Sequence, residues 1–567
     1  MFDQSIDNLN RERGVSFSQT EESIYLGEVT AGEEKVWLSI DLGQGFPKAF
    51  PKICVVDGKR FMPHLSSEGK LCLFDESSVM IKPDSPEQLL LDSYDRAIEI
   101  LEMDPETQKE EVFREFFAYW GNQSQAGFML YTNLATAETH EFQEYTVIGN
   151  KVNRLIVSDN LEESKALLIN HMGCTPSEAE KYKIPCYRIR LRSSSLPRMN
   201  ESFTWKNIRS YILDNITGSQ KRRFNQMLSE KCSVVNRLLL LTIPSYYGDQ
   251  YACIWMHHNS QKRKSALKNI SDCKIDAVTT VRIDPQYLLV RGGAEKSIMQ
   301  KSVLLIGCGS VGGFLADNLC QCGIGTLDLL DKDILTTDNI HRHVLGFDDA
   351  ILGKYKADLL KTQLESRFPY VDIDSLSFVD RTAETLIKTP NRFLHYDLIV
   401  SATGNPALDL EINDELYKIE NAPPFVVCFN EPYGIGGHAI AILKGEGCLR
   451  CLYSDPISGE LVPFQGSFTK EGQSFTKNIS GCSSAFVEYS VLDSQQTAIM
   501  TSRLIIDVLT GRITQTQLVS WIGSAERLRD EGYQTSEYYN ELELKGVTSV
   551  SRDISCSKRC RTCGSLC

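Results

Sequence analysis

A glycine-rich run in the second half of the chain has the residue types that bring a backbone close to a phosphate. Gly307, Gly309 and Gly312 lie in the segment 307–313, directly after the apolar stretch 302–306. Glycines there allow a tight strand-to-helix turn, and a bound phosphate then lies at the N-terminus of the following helix. The segment therefore predicts a nucleotide site between a strand and a helix.

Charged side chains after the glycines distinguish a triphosphate site from a dinucleotide site. A second apolar stretch, 326–330, ends at Asp331, which is placed to bind a ribose hydroxyl. Asn339 and Arg342 follow Asp331, and Lys356 comes further along the chain. An arginine fork and a lysine charge neutralise the pyrophosphate that leaves when a carboxylate attacks ATP. The pattern favours ATP, although the glycines and Asp331 alone would also suit a nucleotide-binding oxidoreductase.

Four cysteines occur as two widely separated pairs with metal-ligand spacing, Cys448 with Cys451 and Cys560 with Cys563. Two such pairs that meet in space give the tetrahedral thiolate set of a structural Zn²⁺ site. Neighbouring cysteines could replace a ligand of the second pair, so the ligand set stays open at this point. These alternative ligands are Cys556 and Cys567.

Cys482 is the candidate nucleophile of the C-terminal half. It lies in a loop-like segment rich in glycine, serine and lysine, 463–484, before a strongly apolar helix predicted over 489–510. A thiol with an ordinary pKa near roughly 8.5 is only a few per cent ionised at neutral pH. A nearby lysine or helix N-terminus would increase the thiolate fraction.

The N-terminal third places a second cysteine between predicted strands and a helix. The pattern predicts strands over 23–29, 35–42 and 51–57, and a helix over 86–103 that begins at a proline. Cys72 lies between these elements, and His64 precedes it in a loop that contains Pro63. On residue type alone, Cys72 could equally be a buried structural thiol and His64 a loop histidine with satisfied hydrogen bonds.

The motif formed by Asp331, Asp333, Asn339 and Arg342 resembles the nucleotide site of the ThiF/MoeB and ubiquitin-activating adenylyltransferases. The resemblance covers about 290–567 and continues through the cysteine pairs and Cys482. It implies a Rossmann-like adenylation domain that uses ATP and Mg²⁺. One departure is Gly404, which stands where the family has an aspartate thought to hold magnesium. Asp331, Asp333 or the triphosphate must then hold the metal, or the adenylating activity is weakened.

The N-terminal strands, the Pro63 loop, Cys72 and the following helix resemble a ubiquitin-conjugating domain. The resemblance implies that Cys72 carries a thioester. His64 stands where the family has an asparagine that is held to orient the loop or to stabilise an oxyanion. A neutral imidazole N–H could donate a hydrogen bond in the same way.

Both domains in one chain resemble the activating–conjugating fusion proteins of bacterial anti-phage (CBASS) operons. The resemblance implies that a protein C-terminus, that of a cGAS-like nucleotidyltransferase, is adenylated and passed through Cys482 and Cys72 thioesters to an amine of a protein or small molecule. It also implies a homodimer that lends an arginine across the interface, for which Arg291, with Arg282 behind it, is the candidate. The alternatives are a sulfur-carrier adenylyltransferase, a nucleotide-binding oxidoreductase and, because of Gly404, a scaffold without catalysis.

Length and composition predict a multi-domain protein of α+β and α/β class. We divide the 567 residues into a conjugating-like α+β domain (1–125), a middle α/β linker domain (126–290) and the Rossmann-like adenylation domain (291–567). The net charge of −14 argues against direct, non-specific nucleic-acid binding. Neither a secretory signal nor a run long enough to span a membrane is evident, so we expect a cytoplasmic protein.

Overall fold

The computed structural model describes most of the chain in two compact units, Met1–Asp284 and Pro285–Cys567. The description leaves out the following residues: 1, 44, 57–61, 67, 75–78, 117–119, 122–123, 135–141, 150–153, 182, 193–202, 230–236, 245–248, 258–273, 377–382, 479–484 and 566–567. Among the described residues, no helix has both the length and the apolar character needed to cross a membrane.

An antiparallel meander of four strands forms the first part of the N-terminal unit. The strands follow one another in the sheet: β1 (Ser18–Glu21), β2 (Ile24–Ala31), β3 (Glu34–Asp41) and β4 (Lys52–Val55). Helices Phe2–Arg13 and Pro86–Leu101 share a core with the sheet. Alternate residues of β2 are buried there, as expected for a strand with one covered face. The three predicted strands and the predicted helix are present, with boundaries shifted by at most two residues among those described.

A closed barrel of seven strands follows the connecting helix Pro105–Arg114. Around the barrel the order is β10-β11-β5-β7-β6-β8-β9. The strand bounds are β5 (Ser124–Asn133), β6 (Phe142–Gly149), β7 (Arg154–Ser158), β8 (Lys183–Arg190), β9 (Arg237–Ile243), β10 (Gln250–His257) and β11 (Lys274–Arg282). The helices of this part are Leu161–His171, Pro176–Lys181, Trp205–Asp214 and Gly218–Ser229.

Strand β9 illustrates why the sequence of this part of the chain contains continuous apolar runs instead of alternating apolar and polar residues. All seven of its residues are buried. Leu238 and Leu240 belong to one apolar cluster with other strand residues, whereas Leu239 and Leu241 pack in a second cluster with residues of two helices. A strand covered on both faces loses the period-two pattern of a half-exposed strand.

The C-terminal unit is built on an eight-stranded sheet in the order β14-β13-β12-β15-β16-β17-β20-β21. The first five strands are parallel and the last three antiparallel. The bounds are β12 (Ser302–Ile306), β13 (Thr326–Leu330), β14 (Asp372–Ser375), β15 (Leu398–Ser401), β16 (Phe425–Asn430), β17 (Gly436–Ile442), β20 (Gln517–Ile522) and β21 (Ser549–Asp553). A separate hairpin consists of β18 (Thr476–Asn478) and β19 (Ala485–Val487).

Helices cover this sheet and complete the predicted Rossmann-like arrangement. Their bounds are Pro285–Arg291, Ser310–Gln321, Phe347–Ala350, Lys356–Arg367, Ala383–Lys388, Pro406–Lys418, Val491–Leu509, Glu526–Asp530 and Glu537–Leu544. Strands β12 and β13 match their predicted bounds. The helix after β12 begins at Ser310, inside the glycine run, so Gly312 and Gly313 form part of its first turn.

Candidate functional site

The glycine run forms the strand–turn–helix that the sequence predicts. Gly307 has a φ of +92°, in the left-handed region that favours glycine, and Gly309 is the N-cap residue of helix Ser310–Gln321. A Cβ atom on Gly312 would collide with the carbonyl oxygen of Gly307. The turn therefore requires glycine at 307 and 312, and it leaves the N-terminus of the helix open to an anion.

Asp331 lies directly after β13, next to this turn. Its carboxylate accepts hydrogen bonds from the amides of Cys308 and Asp333, each at 2.8 Å. Burial raises the pKa of the Asp331 carboxyl, while the two amide hydrogen bonds oppose that shift. Strands β12 and β13 are adjacent and parallel, so the carboxylate and the glycine turn lie at the same end of the sheet.

Lys356 and Asp333 form an ion pair beside Asp331. The Lys356 ammonium lies 3.1 Å from an Asp333 carboxylate oxygen, and the Lys356 amide donates to the Asp333 carbonyl at 2.9 Å. The Lys356 side chain is 12% exposed and that of Asp333 is 61% exposed. Asn339 has a different role in the structure, since its side-chain oxygen accepts from the amide and hydroxyl of Thr336 and caps a short turn.

Arg342 contacts the segment that follows the hairpin. Its guanidinium donates to the carbonyl of Val487 at 3.4 Å and lies 5.5 Å from the ring centre of Tyr489. The Tyr489 hydroxyl lies 2.9 Å from the hydroxyl of Ser310 at the N-terminus of the glycine-turn helix. The structure thus brings Arg342 together with the predicted phosphate site. Sequence reasoning missed Tyr489 and Ser310, whose separation in the chain leaves no local signal.

His343 joins the Arg342 segment to the glycine turn. Its Nε2 lies 2.7 Å from the carbonyl oxygen of Cys308, and its Nδ1 accepts from the amide of Leu345 at 3.1 Å. Burial lowers the pKa of this histidine, which favours a neutral ring that donates through Nε2. The sequence motif includes His343, but its supporting role depends on contacts that the sequence does not reveal.

Cys482 lies outside the described residues, between the two strands of the hairpin. Asn478 and Ala485, the inner ends of these strands, are paired. The Lys477 ammonium lies 2.9 Å from a carboxylate oxygen of Glu488, and this ion pair holds the base of the hairpin. The strands that flank Cys482 therefore return the chain to the residue before Tyr489, close to Arg342.

The segment after β15 has no carboxylate at position 404. Gly404 has a φ of +63° and no atom within 4 Å of where its Cβ would stand. A buried carboxylate comes five residues later, since Asp409 accepts from the hydroxyls of Ser401 at 2.5 Å and Thr403 at 3.3 Å. Burial raises the pKa of Asp409 to about 6.

Cys72 has an exposed side chain, so it is not the buried structural thiol considered as an alternative. Its amide donates to the His64 carbonyl at 2.7 Å, and Leu65 and Leu71 form a bridge inside the same loop. His64 has a φ of 61°, an uncommon conformation for a residue other than glycine. The loop therefore holds the thiol at the surface.

The His64 ring faces two carboxylates of the connecting helix. Its Nε2 lies 3.4 Å from Glu111, its Nδ1 lies 3.0 Å from Glu115, and the side chain is 16% exposed. Both ring nitrogens are thus directed at protein groups, and this geometry favours a role in holding the loop over a donor to an oxyanion. Glu111 lies in that helix and Glu115 is the residue directly after its end, so their spacing of four places both carboxylates on the same side of the helix terminus.

The four predicted metal ligands come together in space. Their sulfur atoms lie within 4.8 Å of one another. Specific separations are 3.8 Å from Cys448 to Cys451, 3.5 Å from Cys448 to Cys560, and 3.3 Å from Cys451 to Cys563. Zinc–sulfur bonds of about 2.3 Å in a tetrahedron require sulfur separations of about 3.8 Å, so these thiols fit a tetrahedral Zn²⁺ ion.

Neighbouring side chains hold the two cysteine pairs together. Arg450 forms an ion pair with Asp414 and donates to the hydroxyl of Thr562 at 3.0 Å. The Thr562 hydroxyl in turn donates to Asp414 at 2.5 Å. Arg450 and Thr562 each lie between the cysteines of a pair, so Asp414 joins the two pairs through side chains other than the thiols.

Comparison with known proteins finds matches to two families in separate parts of the chain. Residues 283–536 match the ThiF family, and residues 6–129 match prokaryotic E2 family B. The chain is 24% identical over 491 residues to the "ATP-dependent ubiquitin transferase-like protein Cap2" of Pseudomonas aeruginosa, covering 82% of this chain and 83% of that protein. Its identity to the Escherichia coli protein of the same name is 24% over 550 residues, covering 88% and 90%.

Shorter similarities concern the C-terminal part. The chain is 28% identical over 188 residues to the "Adenylyltransferase and sulfurtransferase UBA4" of Scheffersomyces stipitis, covering 32% of this chain and 40% of that protein. A crystal structure of E. coli MccB covers 49% of this chain and 68% of its own, with 17% identity and a TM-score of 0.34. The two family matches confirm the predicted combination of domains and the class of ATP-dependent adenylyltransferase with transferase or ligase activity.

Proposed function

We propose that this chain, which joins a ThiF-family domain to a prokaryotic E2 family B domain, adenylates a protein C-terminus and relays it through two thioesters to an amine. One observation carries the proposal. The chain on the C-terminal side of the Cys482 hairpin contacts both Arg342 and Ser310, at the predicted phosphate site. The described chain that follows Cys482 therefore reaches the site where the adenylate would form.

In the first step, a carboxylate oxygen of the donor attacks the α-phosphate of ATP, which forms an acyl-adenylate and releases pyrophosphate. Arg342, Lys356 and the N-terminus of helix Ser310–Gln321 neutralise the charge that develops on the leaving group. Asp331 binds a ribose hydroxyl. Mg²⁺ commonly binds through one or two carboxylates and substrate phosphates, and Asp333 is the exposed carboxylate available for it.

In the second step, the Cys482 thiolate attacks the acyl carbonyl and releases AMP, which leaves a thioester on Cys482. The Cys72 thiolate then attacks this thioester, so that the acyl group moves to Cys72 and the Cys482 thiol is regenerated. An amine finally attacks the Cys72 thioester, which forms an amide and releases the Cys72 thiol. Each exchange conserves an activated acyl group, which is the chemical advantage of covalent catalysis.

For the donor, we propose a cGAS-like nucleotidyltransferase, and for the acceptor an amine of a protein or small molecule, in antiviral (CBASS) defence. The similarity to two ubiquitin transferase-like proteins along most of the chain supports a protein substrate. We place the reaction in the cytoplasm, where reducing conditions keep Cys72 and Cys482 as thiols.

We further propose that the enzyme acts as a homodimer in which an arginine crosses the interface. Arg282 is bonded to Asp284 through two nitrogens, at 2.9 and 3.0 Å, and donates to the Asp249 carbonyl. Arg291 is exposed at the end of helix Pro285–Arg291. Of the two candidates, Arg291 is therefore better placed to reach another subunit.

The four cysteines would hold Zn²⁺ in a structural role. Cys448, Cys451, Cys560 and Cys563 offer four thiolates and no open position, as in closed structural sites. The ion would fix the segment around 560–563 against 448–451, and no chemical step passes through it.

The proposal is tested by ATP–pyrophosphate exchange with a purified cGAS-like nucleotidyltransferase as the carboxylate donor. We expect exchange that requires both the donor and its free C-terminal carboxylate, and that an amidated C-terminus abolishes. NAD should not compete with ATP. Tight NAD binding without ATP-dependent pyrophosphate release would overturn the adenylation mechanism.

A further inference from the structure

Tyr489 occupies a position that none of the proposed chemical steps uses. Its hydroxyl lies 2.9 Å from the hydroxyl of Ser310, and its ring lies 5.5 Å from the Arg342 guanidinium carbon. Ser310 is the first residue of the helix whose N-terminus receives the phosphate. One side chain therefore contacts the phosphate-binding helix and the arginine assigned to the leaving group.

The chain around Tyr489 is fixed on its C-terminal side. Ser490 caps helix Val491–Leu509, and the carboxylate of Asp493 accepts from the Ser490 amide at 2.7 Å. This helix shares a buried core with helix Ser310–Gln321. The backbone of Tyr489 is therefore held by the capped helix that follows it. The packing of that helix against helix Ser310–Gln321 sets the position of the Tyr489 ring relative to the glycine turn.

The chain on the N-terminal side of Tyr489 leads to the hairpin. Val487, the last residue of β19, accepts a hydrogen bond from Arg342 at 3.4 Å. Arg342 therefore touches two positions of one short segment, the carbonyl of Val487 and the ring of Tyr489. An aromatic face under a guanidinium restrains its orientation and adds a favourable electrostatic contact.

We infer that Tyr489 is a positioning residue for adenylation, which holds the Arg342 guanidinium toward the phosphates and ties the base of the Cys482 hairpin to the phosphate-binding helix. The inference rests on the proposed role of Arg342. The Tyr489 ring contacts Arg342 and the Tyr489 hydroxyl contacts Ser310, so substitutions can remove one contact and keep the other. Because Arg342 acts on charge that develops during the reaction, misplacing it lowers kcat more than it changes the KM for ATP.

The experiment measures pyrophosphate exchange with a cGAS-like nucleotidyltransferase as donor. Tyr489→Leu removes both contacts and should lower kcat about tenfold, with a change of less than about threefold in the KM for ATP. Tyr489→Phe keeps the ring and should retain kcat within about threefold. The matched control is Tyr538→Leu, because Tyr538 is also half-buried beneath an arginine, with Arg552 at 5.7 Å, and it should leave kcat unchanged.

A double-mutant cycle separates positioning from folding. Arg342→Lys keeps the positive charge but removes the planar guanidinium that the Tyr489 ring orients. Adding Tyr489→Leu to this variant should therefore lower kcat by less than about twofold. An equal loss from Tyr489→Leu in both backgrounds would mean a general structural defect and would overturn the inference. A kcat for Tyr489→Leu equal to that of the wild-type protein would also overturn the inference. Wild-type protein without any exchange overturns the proposed function, and this inference with it.

Discussion

The amide of Cys72 donates a 2.7 Å hydrogen bond to the carbonyl of His64, so the candidate thiol and the histidine are joined through the main chain. The His64 ring reaches away to Glu111 and Glu115 on the connecting helix. The conformation of the thiol loop is therefore tied to the end of that helix, and Phe116, soon after it, is buried in an apolar cluster with barrel residues.

Substitution of His64 should separate backbone strain from side-chain contacts. At a φ of 61°, asparagine is tolerated and a β-branched residue is not, so His64→Val should destabilise the protein by about 1–3 kcal/mol more than His64→Asn. Urea unfolding of the full chain measures this difference. The same pair of substitutions at the exposed His171 should give nearly equal stabilities. Equal stabilities at position 64 would contradict the strain argument.

The two thiols should act in series. Cys482→Ala should still release pyrophosphate but form no thioester at either cysteine, because Cys72 receives the acyl group only from Cys482. Cys72→Ala should retain a thioester on Cys482 and lose the amide product. Non-reducing gels with hydroxylamine treatment identify the adducts. Normal amide formation by Cys72→Ala would make the N-terminal domain a binding module.

Removal of the Arg342 guanidinium should abolish adenylation without unfolding the domain. Arg342→Ala loses the charge that we assign to the leaving pyrophosphate, so exchange should fall by at least about a hundredfold. Thermal unfolding should shift by only a few degrees, since the residue is half-buried and outside the apolar core. Arg367→Ala is the control, because Arg367 forms an ion pair with Asp317 on a helix surface. If Arg342→Ala catalyses exchange at nearly the wild-type rate, Arg342 does not stabilise the leaving pyrophosphate.

The cysteine cluster should bind one zinc ion per chain. Cys563→Ser should abolish that zinc and lower stability by roughly 3 kcal/mol, or about 10 °C in Tm, because cross-linking distant segments restricts the unfolded chain. Cys322→Ser alters a half-buried cysteine outside the cluster and should retain the metal. Elemental analysis by mass spectrometry with thermal unfolding provides both readouts. Wild-type protein without bound metal after zinc addition would refute the site.

Asp409 should make the protein less stable as pH rises from about 4 to about 6. Its folded pKa of about 6 lies above the ordinary value of 3.8, so the folded state binds more protons across this window and loses stability as they dissociate. Asp409→Asn should gain up to about 3 kcal/mol over wild type at pH 7 and much less at pH 4. Unfolding at several pH values tests this, with the exposed Asp530→Asn as the control. A gain independent of pH would contradict it.

The strands and helix around the glycines were predictable because their signals are local. Strands β12 and β13 are short apolar runs that parallel packing buries, and Gly307 and Gly312 are required by backbone geometry. The cysteine pairs were predictable across 112 residues because the spacing within each pair carries the metal chemistry.

The barrel and the surroundings of the thiols were not predictable from local pattern. Strand β11 pairs in parallel with β5, far earlier in the chain, and the sequence predicted only an α/β linker domain here, with no indication that its strands close into a barrel. The Ser310–Tyr489 contact spans 179 residues, and the residues involved have no distinctive motif. Such contacts depend on tertiary packing between residues far apart in the chain, and no short stretch of the sequence contains a pattern that predicts them.

The closed barrel has a consequence for how this part of the chain meets other proteins. Every one of its seven described strands has a neighbour on both sides, so their backbone groups offer no open edge to an additional strand. A partner that recognises this part of the chain would have to do so through side chains on its helices and connections. The same closure protects it from edge-to-edge aggregation. The outermost strands β1, β14 and β21 of two other sheets remain more exposed to such pairing, whereas β4 is covered by main-chain hydrogen bonds with residues 69–71.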